Sequence, residues 1–509
     1  MNATTTPVFR ITRWGEGIAL LSGALLPLAF APFGYWPLAI LLLALLLWVW
    51  TGQTPGRAAR QGFLFGIGMF GTGIYWVYIS LHQYGNAPPA FAALVTLLLI
   101  LLMALYPAVT GYLLARWAPG STLLAAPALW ALLEWVRSWL FTGFPWLALG
   151  YSQIDSPLAG LAPYSGVFGV SWAVVLSAGL LLILIRGNRQ ARLSAGTVAL
   201  LLWGGAWGLG QLQWVTPAGK PVRVSLVQGN IAQERKWRPD QLEATLRRYI
   251  RLSVPVMSDS DVVIWPEAAI PLFYQEVEEF AQALQQEALD SGADYLIGVP
   301  WESWDREVFH NSIASLGRTP GFYHKHRLVP FGEYLPLRFL LSFFRDYVDI
   351  PMGDFTPGDR DQPLLQAAGY PVGTSICFEV VFGSEIRASL PQAQWLVNVS
   401  NDAWFGDSLA PHQHLQIARL RALEAGRYMA RATNTGITAI IDQHGRIMAR
   451  SEQFEAEVVQ GKIQPLTGAT PYVLLGDGFT VVLLGGVLAL VLGLRFARPA
   501  LAGRTATPS

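Results

Sequence analysis

Hydrophobic and polar positions divide this chain into three parts. From Gly17 to Leu212 long apolar runs follow one another, broken by short segments rich in Gly, Pro, Trp and Arg. From Lys220 to about Pro471 short apolar runs alternate with polar and amphipathic ones, and from Phe479 to Leu494 the chain is apolar again. A bilayer-spanning helix needs about 20 mostly apolar residues. The uncharged run over 17–57 is too long for one such helix, and Pro32-Phe33-Gly34-Tyr35-Trp36-Pro37 supplies turn formers and interfacial aromatics in its middle, so it predicts two. Further spans are predicted at about 63–80, 90–115, 122–139, 166–185, 195–212 and 479–494, which brings the expected bundle to eight transmembrane helices. A cleavable signal peptide is not expected, because the first apolar run leads directly into more of the same.

The middle part has a different rhythm. Residues 222–227 are apolar and β-branched and end in Gln228-Gly229-Asn230; Val262-Val263-Ile264-Trp265 reads as a short buried strand, as do 295–299 and 396–399. Between them, Leu242, Leu246, Ile250 and Val254 recur at the spacing of one helix face, 276–289 reads as helical, and 412–432 as one long helix. Residues 437–441 and 446–449 flank Asp442-Gln443-His444-Gly445 as a hairpin would. Strands alternating with helices predict an α/β layered domain of about 250 residues. The expected organisation is a polytopic helical part over 1–214, an α/β domain over 215–470, and a last transmembrane helix with its tail over 471–509.

Charge changes the picture by giving it an orientation. Between Gly15 and Gln213 only ten residues are charged: Glu16, Arg57, Arg60, Arg116, Glu134, Arg137, Asp155, Arg186, Arg189 and Arg192. Arginines flank alternate connections. Arg10 and Arg13 precede the first helix, Arg57 and Arg60 follow the second, Arg116 the fourth, Arg186, Arg189 and Arg192 the sixth, and Arg495 and Arg498 the last. Cytoplasmic loops carry the excess of Lys and Arg, so both termini are expected in the cytoplasm and the α/β domain on the other side, the periplasm of a bacterium. Glu134 and Arg137 lie three residues apart on one helix face, as either an interfacial pair that snorkels or a polar contact for a headgroup. The net charge of +1 gives no case for nucleic-acid binding.

Cysteine usage points to chemistry. Cys377 is the only cysteine and cannot pair within the chain; in an oxidising compartment a free thiol calls for a reason. Three apolar strands run into reactive residues: Trp265-Pro266-Glu267; Tyr323-His324-Lys325 with the following Leu328-Val329-Pro330-Phe331-Gly332-Glu333; and Ile376-Cys377-Phe378-Glu379. Strand ends are where α/β sheets build sites. A thiolate is a nucleophile, an ammonium stabilises it and later an oxyanion, and a carboxylate can move the proton. Lys325 is one of only four lysines in the chain. His324, His326, His412 and His414 do not make a persuasive metal set, and no metal or other cofactor is expected.

These three segments resemble the motifs of the nitrilase, or carbon–nitrogen hydrolase, superfamily. With apolar helices on both sides, and with Phe141-Thr142-Gly143-Phe144-Pro145-Trp146, Gln228-Gly229-Asn230, Trp237 and the segment from Asn398 to Gly406, the chain resembles its membrane-embedded branch, the apolipoprotein N-acyltransferases. The resemblance implies a four-layer α-β-β-α nitrilase-like sandwich on the membrane bundle. It implies Glu267 as base, Lys325 as oxyanion stabiliser and Cys377 as nucleophile, with Glu333 orienting Lys325 or the base, Glu379 supporting the site, and the Phe378 N–H as second oxyanion donor. Where many members carry Tyr after the cysteine this chain has Phe378, so only a backbone role transfers. The implied partners are a phospholipid acyl donor, a diacylated apolipoprotein acceptor and the lipid bilayer of a bacterial inner membrane, with a monomer as the expected state.

Blander readings stand beside these. Glu333 could tie down a turn, Glu379 could be a buried structural carboxylate, and Trp237 could be core rather than a substrate contact. The apolar run 335–344, with Phe343 and Phe344, is too short to span a bilayer. It is either a loop packed on the domain or an arm that dips into the outer leaflet and contacts substrate. A tethered amidase acting on small soluble amides would share the Glu-Lys-Cys set but would not need eight helices. A non-catalytic transporter would carry charges or broken helices at the membrane midplane, whereas the charges here cluster in loops, and it would leave the Glu-Lys-Cys set unexplained.

Overall fold

Alternation along the strands builds two sheets that face each other. In the computed structural model, which describes residues 14–334 and 355–502 with side chains up to 495, the α/β part holds fourteen strands among the described residues. The first six-stranded sheet comprises β2 (Val222–Gln228), β3 (Val262–Trp265), β4 (Asp294–Glu302), β5 (Phe309–Leu316), β6 (Gly321–His324) and β13 (Glu457–Ile463), in the order β13-β2-β3-β4-β5-β6. The second comprises β7 (Leu365–Ala367), β8 (Tyr370–Ile376), β9 (Trp395–Ser400), β10 (Met429–Thr433), β11 (Ala439–Ile441) and β12 (Ile447–Arg450), in the order β12-β11-β10-β9-β8-β7. A short ribbon pairs β1 (Val215–Pro217) with β14 (Leu466–Gly468). Each large sheet has a parallel centre, β2-β3-β4 in one and β8-β9-β10 in the other, with antiparallel strands outside it.

Successive side chains of a strand point to opposite faces, and here the two faces feed different cores. Val262 and Ile264 join Val224, Leu226, Leu296, Val372, Ile376, Val397, Val399, Ala430 and Ile440 in one buried layer between the sheets. Val263 and Trp265 turn outward to Tyr249, Leu284, Ala288, Tyr295 and Ile297, beneath the helices Leu242–Ser253 and Glu278–Ser291. On the far sheet Leu396, Met429, Ala439 and Ile441 turn outward to Leu415, Ala418 and Ala422 of the helix Ala410–Ala425. The result is the expected helix-sheet-sheet-helix sandwich. One expected element is corrected: the helix proposed over 412–432 stops at Ala425, because Gly426 takes a left-handed conformation (φ +61°) and returns the chain into β10.

The apolar stretches are helical at each of the eight expected places, including Gly15–Leu25, Pro37–Trp50, Pro55–Gly73, Pro89–Trp117, Thr122–Arg137, Ala162–Arg186, Arg189–Leu209 and Pro471–Ala502. The expectation of eight full spans is not carried as a whole. Among the described residues three helices are long and apolar enough to cross a membrane, Pro89–Trp117, Pro157–Arg186 and Pro471–Arg495. A fourth arises if Pro55–Gly73 and Trp76–Tyr84, bent by 49°, act as one. Gly15–Ala29 and Pro37–Trp50 are apolar but shorter. At 1.5 Å per residue a 14-residue helix such as Pro37–Trp50 reaches about 21 Å, against a hydrocarbon core of about 30 Å. This is a membrane protein, then, with helices of unequal reach.

Within the helical part, glycines bring backbones together. A Cβ on Gly23 would lie 1.9 Å from the Phe65 carbonyl oxygen, and one on Gly68 would lie 2.3 Å from that of Leu20, so these helices touch through small residues. Glu134 and Arg137 do not snorkel, as both are buried at 5% and 2% exposure. Arg137 donates to the carbonyls of Phe144 (2.8 Å) and Trp146 (2.5 Å), while Glu134 accepts from the Trp130 indole (2.9 Å) and the Leu149 N–H (3.0 Å). The pair holds the Phe141–Trp146 loop against its own helix.

Chain contacts separate two units, Met1–Tyr75 with Val95–Gln211 and Asp477–Ser509, and Trp76–Leu94 with Leu212–Gly476. The second unit thus takes in a segment that sequence alone assigned to the helical part. The Trp76 indole donates to Gln413 Oε1 (3.3 Å) and stacks edge-on against Phe405 at 4.9 Å, and Ser80 Oγ donates to the Trp404 carbonyl (2.8 Å).

Candidate active site

Three strands of the two sheets end in the residues singled out above: β3 runs into Glu267, β6 into Lys325, and β8 into Cys377. The turn after β3 is possible because β4 offers no side chain beside it. A Cβ on Gly298 would sit 2.2 Å from the Pro266 carbonyl oxygen and 2.7 Å from the Glu267 Cα.

The carboxylates and the lysine form one buried cluster. Lys325, 1% exposed, directs Nζ to Glu333 Oε1 at 2.9 Å and to Glu267 Oε1 at 3.4 Å. Asn311, near the start of β5, bridges the two carboxylates, its Nδ2 donating to Glu267 Oε1 (2.8 Å) and Glu333 Oε1 (2.9 Å). Glu267 Oε2 accepts from the Asn401 N–H (2.8 Å) at the end of β9, and Glu333 Oε2 from the Val329 N–H (2.7 Å). Burial alone would lower the Lys325 pKa, but Glu333 and Glu267 more than offset it and hold it well above the usual range. The lysine is therefore a fixed cation with two of its three donors engaged among the described residues. Glu333 thus accepts from the Val329 N–H within its own turn and also pairs with Lys325.

Cys377 opens a short 3-10 turn, Cys377–Val381, with φ +49°. Left-handed backbone is costly for a residue with a Cβ, and Glu379 holds it. Its carboxylate, fully buried, accepts from Ile376 N–H (2.6 Å), His326 N–H (2.8 Å), Arg327 N–H (3.0 Å) and the Tyr323 hydroxyl (3.0 Å). One side chain thereby joins the cysteine turn to the lysine segment. Burial pushes its pKa up to about 7 against the pull of these donors. From below, the Cys377 carbonyl accepts from His414 Nε2 (3.2 Å) and Asn398 Nδ2 (3.4 Å). His414 Nδ1 lies 2.9 Å from the Arg431 guanidinium and 3.0 Å from Asp402 Oδ1, and Arg431 pairs with Asp402 (2.8 Å). Burial and Arg431 lower the His414 pKa, and Asp402 opposes them.

Burial, then Glu267, push the Cys377 thiol well above its ordinary range; Lys325 opposes them. The resting group is a thiol, and its activation requires a base. Phe378 lies in the first turn of the 3-10 segment, where N–H groups lack intrahelical acceptors, and its ring packs edge-on against Phe382 at 5.0 Å. Trp237 is half-buried, and its indole N–H is buried with no hydrogen-bond partner among the described residues. Phe343 and Phe344 lie outside the described residues.

Sequence reasoning missed Asn311, Lys236 and the His414–Asp402–Arg431 network. Lys236 is 2% exposed and donates to the Glu267 carbonyl at 2.9 Å. Its scarcity among the lysines was the available signal, the one that drew attention to Lys325. A single Asn in a strand carries no comparable mark.

Two family models match the chain: the apolipoprotein N-acyltransferase N-terminal domain over residues 22–180, and the carbon-nitrogen hydrolase over residues 223–472. An apolipoprotein N-acyltransferase of Methylococcus capsulatus is 49% identical over 94% of this chain and 95% of its own length. The corresponding protein of Nitrosomonas europaea is 45% identical over 94% and 96%, and that of Azotobacter vinelandii 43% identical over 93% and 95%. With the second model spanning the sandwich that gathers Glu267, Lys325 and Cys377, and full-length relatives at this identity, the chain belongs to the apolipoprotein N-acyltransferase family.

Proposed function

We propose that this protein moves an acyl chain from a phospholipid, through a thioester on Cys377, to the α-amine of the N-terminal S-diacylglyceryl-cysteine of an apolipoprotein. Glu267 takes the thiol proton, and the thiolate attacks the ester carbonyl. Lys325, with one donor open, and the Phe378 N–H hold the oxyanion. Glu267 returns the proton to the departing alkoxide, and a lysophospholipid leaves. In the second half the α-amine attacks the thioester, Glu267 accepts its proton, and the thiolate is expelled and reprotonated as the amide forms. Both substrates are lipids, which is a physical reason for membrane helices on either side of the catalytic domain.

The observation that carries this reading is the convergence of a carboxylate, a doubly paired ammonium and a strained free thiol at three strand ends. Arginine placement supports eight membrane segments, cytoplasmic termini and a periplasmic catalytic domain over 215–470, in the inner membrane of a bacterium. We assign the enzyme a monomeric working state. Intact mass after incubation with phospholipid tests the chemistry. An added acyl group that is absent from Cys377→Ala is the expected result; an enzyme that turns over with no adduct on Cys377 would sink it.

A further inference from the structure

The candidate site holds a second buried lysine that the proposed mechanism does not use. Lys236 ends the short helix Gln233–Lys236 and is 2% exposed. Among the described residues its Nζ has one hydrogen-bond acceptor, the main-chain oxygen of Glu267 at 2.9 Å, and it lies 5.9 Å from the Trp237 ring centroid. The same short helix is tied to the strand β9 end, since Gln233 accepts from Asn401 Nδ2 (2.8 Å) and the Asn401 N–H donates to Glu267 Oε2. Glu267 is thus gripped at its carboxylate by Asn401 and at its carbonyl by Lys236.

Formal charge gives a second, independent argument. The cluster contains two carboxylates, Glu267 and Glu333, for one ammonium, Lys325, all at most 8% exposed. An unbalanced buried charge is expensive, and a net negative site would oppose formation of a thiolate at Cys377. Lys236 is the cation that balances it. Burial lowers its pKa to about 8, and Glu267 and then Cys377 oppose that shift, so the amine senses both.

We propose that Lys236 is a positioning residue for acyl transfer: it fixes the Glu267 turn through the main-chain carbonyl and supplies the second cation that the site's two carboxylates require. This rests on the assignment of Glu267 as base. The test uses the full-length protein in micelles with phospholipid. It follows thioester formation by intact mass, Cys377 alkylation by iodoacetamide at pH 7, and thermal unfolding. Lys236→Met removes donor and charge, while Lys236→Gln can keep a donor. Acylation should slow by about tenfold or more in Lys236→Met and recover in part in Lys236→Gln. In both, Cys377 alkylation at pH 7, below the Lys236 pKa of about 8, should slow by about tenfold, because a thiolate loses a neighbouring cation. Glu267, Lys325, Asp402 and the Ser400 hydroxyl, which also act on the thiol, are unchanged in these variants. Wild-type acylation in either variant, or wild-type alkylation at pH 7 in folded protein, overturns the proposal. Glu267→Gln is the separate control: full acylation there overturns the base assignment, while the alkylation rates at pH 7 still decide the role of Lys236.

Discussion

At the scale of single residues, the site depends on groups that hold rather than react. Glu379 accepts four donors from two chain segments. In Glu379→Gln the amide must turn an N–H toward one of them, so acylation should fall by about a hundredfold while the fold persists. Its titration has a sign. The folded pKa of about 7 lies above the ordinary 4.5, so the folded state binds this proton more tightly. That contribution is complete below pH 4.5 and is lost as pH rises through about 7. The melting temperature of the wild type should therefore decline across this window more steeply than that of Glu379→Gln; parallel profiles would refute the assignment. Cys377 and Lys325 were conspicuous in the sequence because scarce residue types stood where apolar strands end, and Glu267 because it followed a third such strand. Asn311 and His414 were not, because their roles arise from neighbours that only the fold brings together, across 44 residues for Asn311–Glu267 and 37 for His414–Cys377.

At the scale of elements, short apolar, β-branched runs marked β2, β3, β4 and β9, and alternate side chains of these strands feed two cores. The helical period over-ran at Ala425, where a strand follows a helix after one left-handed glycine and both are apolar. Close approach of β3 and β4 yields a sharper expectation. Gly298→Ala would press a methyl group onto Pro266 and Glu267. The expected result is a fall in kcat of about a hundredfold from a displaced base, with an unchanged far-ultraviolet spectrum and a modest loss of stability of about 1–3 kcal/mol. A normal rate would show that Glu267 does not need its present position. The apolar run 335–344 belongs at this scale too. Phe343→Ser combined with Phe344→Ser should raise the KM for phospholipid with kcat retained, and an unchanged KM in folded protein would dismiss the membrane-dipping arm.

At the scale of the whole molecule, the lone cysteine and the arginine pattern make one argument. A thiol that must stay reduced on the oxidising side of a membrane is safest with no partner in its own chain, and Cys377 has none. That reasoning needs the α/β unit to be periplasmic, which the arginines imply and the helix lengths alone do not. Cys377→Ala removes the natural thiol, so single cysteines can then report sidedness without interference. Trp304→Cys lies on the α/β unit at a position 88% exposed. Gln190→Cys lies at the exposed start of the helix Arg189–Leu209, amid Arg186, Arg189 and Arg192. In spheroplasts a membrane-impermeant maleimide should label the Trp304→Cys protein at once and the Gln190→Cys protein only after permeabilisation. Labelling of Gln190→Cys in sealed spheroplasts would invert the topology, placing Cys377 in the reducing cytoplasm, where a thiol needs no isolation from other cysteines to stay free.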